Sequence, residues 1–195
     1  MVVPLSAWVD ESAHSPSGAL PEGIYLLAAT VADPDECEPT REVLRSLLPG
    51  KARRLHWHTE GGRRRRLIAA ALAERPVRHT VVIGAPLDAR KPERARRLCL
   101  ERLLFELAAL DVSQVWLESR TDRLNRADRT MAAALHSQGL IPKTFHVGFA
   151  APTAEPMLWL PDVVAGAVGA HRCGGDDEPW QALRATIREI DLRLS

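Results

Sequence analysis

The sequence predicts an α/β domain in which a mixed β-sheet is covered by helices. Two apolar stretches near the start, residues 2–10 and 23–31, are separated by a Pro/Gly/Ser-rich turn, which is typical of paired strands. After them, short apolar strand patterns alternate with segments of helical periodicity. An early pair of strands followed by alternating units predicts both antiparallel and parallel neighbours in one sheet. With 195 residues, 46% of them hydrophobic, the chain can build the core of one domain.

Each predicted strand is a short run rich in apolar residues and bounded by turn-forming residues. The six predicted strands span residues 2–10, 23–31, 55–59, 79–85, 112–118 and 144–150. Residues 79–85 (HTVVIGA) are almost continuously apolar, as expected for a strand covered on both faces. Residues 55–59 (LHWHT) alternate imidazole with apolar groups, which favours a short third strand.

The helices are predicted from apolar residues that recur every three or four positions. They span residues 33–48, 62–74, 92–110, 126–138, 161–171 and 178–194. Pro92 stands in the first turn of the helix over residues 92–110, a position that tolerates proline. Gly139 ends the helix over residues 126–138. No low-complexity linker divides the chain, so we expect one domain over residues 1–195, in which residues 176–195 supply a C-terminal packing helix.

Several classes of protein are excluded by what the sequence lacks. No apolar run reaches the roughly 18 residues that a membrane span requires, and no signal-peptide pattern opens the chain. Cys37, Cys99 and Cys173 are odd in number and far apart, which indicates reduced thiols in a soluble, cytoplasmic protein. The chain also lacks the motifs of P-loop ATPases, dinucleotide enzymes, common serine hydrolases and zincin metalloproteases.

The charges are divided unevenly along the chain, although the net charge is only +1. Residues 41–102 hold 17 Lys or Arg against 6 Asp or Glu, whereas the remainder holds 9 against 19. This asymmetry predicts a polyanionic partner, namely nucleic acid, DNA or RNA. The candidate phosphate contacts are Arg63, Arg64, Arg65, Arg94, Arg97 and Arg120. The alternative is that the arginine runs form only a solvated surface.

Three acids stand where buried elements end or begin. Asp10 ends the first predicted strand with Glu11 beside it, Glu118 ends the strand of residues 112–118, and Asp162 opens a helix. A carboxylate buried alone is costly but becomes favourable beside a divalent cation. Because Mg²⁺ and Mn²⁺ prefer oxygen ligands, we expect these acids to form a site of the kind that cleaves phosphodiesters.

Each of these acids also has a purely structural interpretation. Asp10 and Glu11 could cap a turn, and both cannot serve one site while the strand continues, because neighbouring residues on a strand point to opposite faces. Glu118 could pair with Arg120, and Asp162 could only complement the helix dipole. One further pattern favours a site: Asp162, Ala165, Gly166 and Gly169 follow helical spacing, so this small face would let the helix approach the sheet closely.

Four segments together resemble a large bacterial family, catalogued as domain of unknown function 3800, which has a ribonuclease H-like fold. They are AWVDESAH, GIYLLAATV, LESR and PMLWLPDVVAGAVGAH. The resemblance covers most of the chain and implies acids on the first and fourth strands and on a late helix. Asp10, Glu118 and Asp162 match those positions as metal ligands, and Glu11 matches the second acid of the opening motif. No clear fourth carboxylate follows from the pattern, in contrast to ribonuclease H itself.

The segment LHWHTE is a second candidate, and a polar motif occupies the same region in the resembling family. His56 and His58 alternate with apolar residues and are expected to share one face. Near neutral pH, His58 could transfer a proton or position a phosphate. Alternatively both histidines form hydrogen bonds within the fold. Zinc binding is not favoured, because no third ligand stands at a recognisable spacing.

These observations leave three hypotheses open. The first is a Mg²⁺- or Mn²⁺-dependent nuclease or related phosphoryl-transfer enzyme in which Asp10, Glu118, Asp162, Glu11 and His58 are the catalytic residues. The second is a non-catalytic module on the same fold that binds nucleic acid or a protein. The third is a structural or regulatory domain whose acids only pair with arginines.

Overall fold

A six-stranded mixed sheet flanked by six α-helices forms the described part of the chain, residues 4–18 and 20–194 of a computed structural model, which confirms the predicted fold class. The strands are β1 (Leu5–His14), β2 (Ile24–Ala32), β3 (Arg78–Ala85), β4 (Val112–Glu118), β5 (His146–Ala150) and β6 (Ile187–Arg193). The helices are α1 (Pro34–Ser46), α2 (Gly62–Ala73), α3 (Pro92–Ala108), α4 (Asp122–Ser137), α5 (Trp159–Arg172) and α6 (Glu178–Leu183). Residues 2 and 3 of the first predicted strand, residue 19 of the following turn and residue 195 lie outside the described residues.

The sheet has the strand order β5-β4-β1-β2-β3-β6. Strand β2 is antiparallel to both β1 and β3, whereas β1 with β4, β4 with β5 and β3 with β6 are parallel pairs. Five strands therefore run in one direction, and β2 alone opposes them. The ends of β1 and β4 consequently meet at one edge of the sheet, the carboxyl edge. The starts of β3 and β6 lie at the opposite edge, the amino edge.

Side chains of the central strands alternate between two cores, as the period of a strand requires. Trp8 and Leu26 pack with α1, α2, α5 and α6 on what we call the α5 face. Val9 and Leu27 pack with α3 and α4 on the α3 face. All nine residues of β2 are buried, since helices cover both of its faces.

Three predicted elements differ from the structure. The predicted strand over residues 55–59 is wrong: Trp57–Thr59 is a 3₁₀ turn, with Trp57 buried in the α5-face core. The predicted helix over residues 178–194 stops at Leu183, and the chain then enters strand β6, which pairs with β3. Strand β1 continues to His14, so Asp10 lies inside the strand rather than at its end.

None of the helices in the described residues is both long enough and apolar enough to cross a membrane.

Helix α5 packs unusually close to its neighbours because two of its residues lack side chains. A Cβ atom at Gly166 would lie 2.2 Å from Cγ of Trp57, and one at Gly169 would lie 2.2 Å from Nε2 of His14. Ala165, on the same small face, is buried. The structure thus contains the close approach that the spacing of these residues predicts.

Gly166→Ala should therefore destabilise the protein although alanine favours helix. The new methyl group must displace the Trp57 ring, which should lower the free energy of unfolding by about 2 kcal/mol. Gly62→Ala is the matched control, because its Cβ would meet only one atom, at 3.9 Å, and should leave stability unchanged or slightly higher. Urea unfolding measures both, and equal stability of the two variants would contradict the proposed packing constraint.

Candidate functional site

The three predicted acids line one cavity of about 120 Å³ at the carboxyl edge. Asp10 and Glu118 are adjacent across the parallel strands β1 and β4, because the preceding residues, Val9 and Leu117, form the last registered pair. Asp162 comes from the first turn of α5. Strand β4 ends at Glu118 while β1 continues, and the opening between the two strands forms beside the acids.

Glu118 and Asp162 are close enough to Asp10 to affect its ionisation. The pKa of Asp10 is raised well above its usual range, first by burial and then by the negative charges of Glu118 and Asp162. A side-chain hydrogen bond with Glu118 raises it further, and the Arg96 guanidinium offsets only part of the effect. The cavity therefore disfavours the fully ionised triad unless positive charge is added to it.

Asp162 and Glu118 also contact the segment before α2. Oδ2 of Asp162 accepts a 2.7 Å hydrogen bond from the backbone N–H of Trp57 and lies 3.3 Å from Nδ1 of His56. The carboxylate of Glu118 lies 3.8 Å from the guanidinium of Arg54. Within the described residues, no group of three His, Cys, Asp or Glu side chains is already arranged to hold a metal ion. The carboxylates share a cavity, but their present partners are groups of the protein.

Glu11 is not brought to the three acids in the way the sequence motif suggests. It contributes to the cavity wall, but its carboxylate lies on the α3 face, where Tyr25 Oη donates a 2.8 Å hydrogen bond and Arg96 forms an ion pair with it. The reason is the alternation of side chains along β1, which continues through this position. The expectation that Glu11 supplies a further catalytic carboxylate is thus not supported by its orientation.

Two histidines line the cavity, and a third, His14, lies close to one of them, His58. His56 and His58 both line it, with ring centroids 5.7 Å apart, and His58 is exposed. His14 was not predicted from the sequence. Burial, followed by the proximity of His58, lowers its pKa. The alternation of side chains along a strand could have identified His14. Because β1 extends past Asp10, every second residue, Ser12 and then His14, lies on the same face as Asp10.

The two arginine runs do not share a surface. Residues 63–66 belong to α2, whose buried residues pack on the α5 face, whereas residues 94–97 belong to α3 on the other face. The sheet separates them, so the two runs do not form one basic surface. Arg63, which is exposed, lies on the α5 face with the cavity, and the exposed Arg94 and Arg97 do not.

Three of the candidate phosphate contacts are engaged within the fold. Arg64 donates to Glu60 and to the carbonyl of Leu47, and Arg65 donates to the carbonyl of Trp57 while lying over its ring. Both arginines thereby hold the loop that carries the histidines. Arg120, with a side chain only 15% exposed, pairs with Glu93 and Asp128 on the α3 face. The alternative pairing of Glu118 with Arg120 is not seen.

The comparisons with known proteins bear on the fold. No family model matches the sequence, and no curated protein matches it either. Among solved structures, the fold is similar to a chain in the structure of the PCNA:RNase HII complex from Archaeoglobus fulgidus. The TM-score is 0.50 at 15% sequence identity, and the match covers 86% of this chain and 73% of that chain. The neighbour is RNase HII, so the fold is ribonuclease H-like, as the family resemblance implies, while the family itself stays a prediction.

The raised pKa of Asp10 predicts the stability of Asp10→Asn as a function of pH. In the unfolded chain Asp10 ionises near its ordinary pKa of about 3.9, so ionisation penalises the folded state as pH rises through the raised pKa. In EDTA at pH 7.5, Asp10→Asn should be more stable than wild type. The difference should shrink towards pH 4, where both side chains are neutral.

Urea unfolding across this pH range is the measurement. Asp111→Asn is the control, because Asp111 is exposed at the amino edge and its φ of 59° is one that asparagine tolerates. A loss of stability in Asp10→Asn at pH 7.5 would show instead that the ionised Asp10 supports the fold.

Proposed function

We propose that this protein is a Mg²⁺- or Mn²⁺-dependent nuclease, or a related phosphoryl-transfer enzyme, that acts on nucleic acid. The observation that carries the proposal is the convergence of Asp10, Glu118 and Asp162, from two strands and a helix, on one cavity. Burial, together with the charges of Glu118 and Asp162, makes the ionised Asp10 unfavourable in the absence of a cation, as its raised pKa indicates. The similarity to RNase HII supports a fold that can carry nuclease chemistry.

The donor set fits a hard divalent cation. Asp10, Glu118 and Asp162 offer only carboxylate oxygens, which Mg²⁺ and Mn²⁺ prefer, and a bound cation would remove the repulsion that raises the pKa of Asp10. The chemistry that such an ion supplies is activation of water and neutralisation of phosphate charge. Glu118 would exchange its 3.8 Å contact with Arg54 for this role.

The protein's own groups have separate tasks in this proposal. The backbone N–H of Trp57 fixes the orientation of the Asp162 carboxylate through its 2.7 Å hydrogen bond. His58 lines the cavity and is exposed, and in this proposal it transfers a proton or positions a phosphate. Arg54 also lines the cavity, so its guanidinium can bind a phosphate oxygen of the substrate strand.

A non-catalytic module on the same fold, binding nucleic acid or protein, is the second candidate. It is favoured by the present partners of the acids, since Asp162 is bound by Trp57 and Glu118 faces Arg54. Under this alternative the carboxylates shape and orient the loop of residues 54–60. The two candidates differ in metal dependence: only the first requires stabilisation by Mn²⁺ and cleavage.

Removing one carboxylate should abolish metal-dependent activity. We expect Mn²⁺ to raise the melting temperature of the wild type, since a ligand that binds only the folded state stabilises it, and to support cleavage of single-stranded or duplex nucleic acid. Asp10→Asn and Glu118→Gln should lose the Mn²⁺-induced shift and lower cleavage by about 100-fold or more. Asp111→Asn should behave as wild type. Without a metal-induced shift or cleavage in wild type, the binding module takes the place of the enzyme.

The separation of the arginine runs predicts different roles for matched residues. In EDTA, Arg63→Gln should weaken binding of a single-stranded oligonucleotide and reduce the slope of log affinity against log salt by about 0.7, as loss of one phosphate contact does. Arg97→Gln, a change at an exposed residue on the α3 face, should alter neither quantity. Fluorescence anisotropy across a salt series measures both, and an equal loss in Arg97→Gln would contradict a binding surface on the α5 face.

A further inference from the structure

A second cavity lies at the amino edge of the sheet, at the other end from the three acids. It has a volume of about 570 Å³ and is formed where β3 and β6 begin. Arg75, Arg78 and Arg188 line it, and no Asp or Glu is among the lining residues. A volume of this size matches the usual range for small-molecule sites, about 300–1,000 Å³.

The positive charge of this cavity is only partly compensated. Arg75 pairs with Glu36 at 3.2 Å and Arg188 with Glu106 at 2.8 Å. Arg78 is exposed and forms no ion pair in the described part of the chain. Because three guanidinium groups are matched by two carboxylates that stand outside the lining, the cavity favours an anion.

Two of the lining residues also carry buried polar atoms that no protein group satisfies. Within residues 4–18 and 20–194, Nε of Arg75 and Nε2 of His79 have no hydrogen-bond partner. The other ring nitrogen of His79 lies 2.9 Å from Oγ1 of Thr30, and burial lowers the pKa of His79 to about 4. The imidazole is therefore neutral near pH 7. Buried groups of this kind are normally satisfied by a water or a ligand.

The remaining wall is apolar. Val77, Leu110 and Ile187 line the cavity beside the arginines, so a ligand would meet both cationic and hydrophobic surface. The planar guanidinium of arginine forms bidentate hydrogen bonds with phosphate oxygens. Apolar side chains can pack against a flat base or against the face of a sugar. An inorganic anion would use only the first of these two surfaces.

We propose that the amino-edge cavity is a binding site for a nucleoside monophosphate group, separate from the acidic cavity and independent of its chemistry. In this site the arginines bind the phosphate, and the apolar wall packs against the nucleoside. The group belongs either to a free mononucleotide or to the 5′-phosphorylated end of a nucleic-acid strand.

Calorimetric titration with AMP, in EDTA, tests the site. We expect AMP to bind the full-length protein about tenfold more tightly than adenosine, since the arginines contact only the phosphate. Arg78→Gln should weaken AMP binding by about tenfold, because Arg78 has no carboxylate that its removal would leave unpaired. Arg126→Gln, an exposed change on α4, and Asp10→Asn, in the acidic cavity, should both bind AMP as wild type does.

A 5′-phosphorylated tetranucleotide distinguishes the two sources of the phosphate. If the 5′-phosphorylated strand displaces AMP at a concentration well below that of AMP, and the 5′-hydroxyl strand does not, the cavity binds strand ends. If the 5′-phosphorylated strand and AMP bind with equal affinity, the cavity binds free mononucleotides. Absence of AMP binding, equal binding of adenosine, or equal effects of Arg78→Gln and Arg126→Gln would overturn the proposal. Since no metal is present, failure of the acidic site as a metal site would not produce these results.

Discussion

The acidic cavity depends on the close contact of helix α5 with Trp57 and with strand β1. A Cβ atom at Gly166 would overlap the ring of Trp57, and a Cβ atom at Gly169 would overlap the ring of His14. This approach brings Asp162 to the same cavity as Asp10 and lets its carboxylate accept the Trp57 N–H. The loop with the histidines is thereby tied to the helix that carries the acid. Replacing Gly166 would displace Trp57 and with it the N–H that binds the Asp162 carboxylate, so packing and site geometry are coupled.

Strand β1 separates two polar clusters with different physical characters. Asp10 is buried in a cavity beside Glu118 and Asp162, and its pKa is raised first by burial and then by their negative charges. Glu11, one residue later, faces Arg96, whose side chain is only 5% exposed and also pairs with Asp128 on α4. A buried guanidinium needs such partners, because leaving it unpaired would cost several kcal/mol. Thus the α3-face cluster is largely compensated within the fold, while the α5-face cluster is left with excess negative charge that a cation can neutralise.

The basic residues are distributed in the same divided manner. The excess of arginine between residues 41 and 102 reads as one basic region in the sequence, yet the sheet places its parts on two faces and at the amino edge. Several of these arginines pair with acids from the rest of the chain, as Arg66 does with Asp176 and Arg75 with Glu36. The opposite charge excesses of the two sequence regions therefore partly reflect intramolecular pairing. What remains for a partner is a smaller set of exposed groups than composition alone suggests.

Sequence alone predicts the α/β class, most helices and the bounds of β4, since local periodicity and turn residues decide these features. It also predicts which acids stand next to buried elements and that α5 has a small face. Strand β6 could not be predicted, because residues 187–193 form a strand only through pairing with β3, about a hundred residues earlier in the chain. Likewise, the three-dimensional fold was needed to show that Glu11 turns away from Asp10, that His14 lies close to His58, and that the arginine runs lie apart. Those outcomes depend on strand length and on the sheet that stands between residues, and neither is encoded in local spacing.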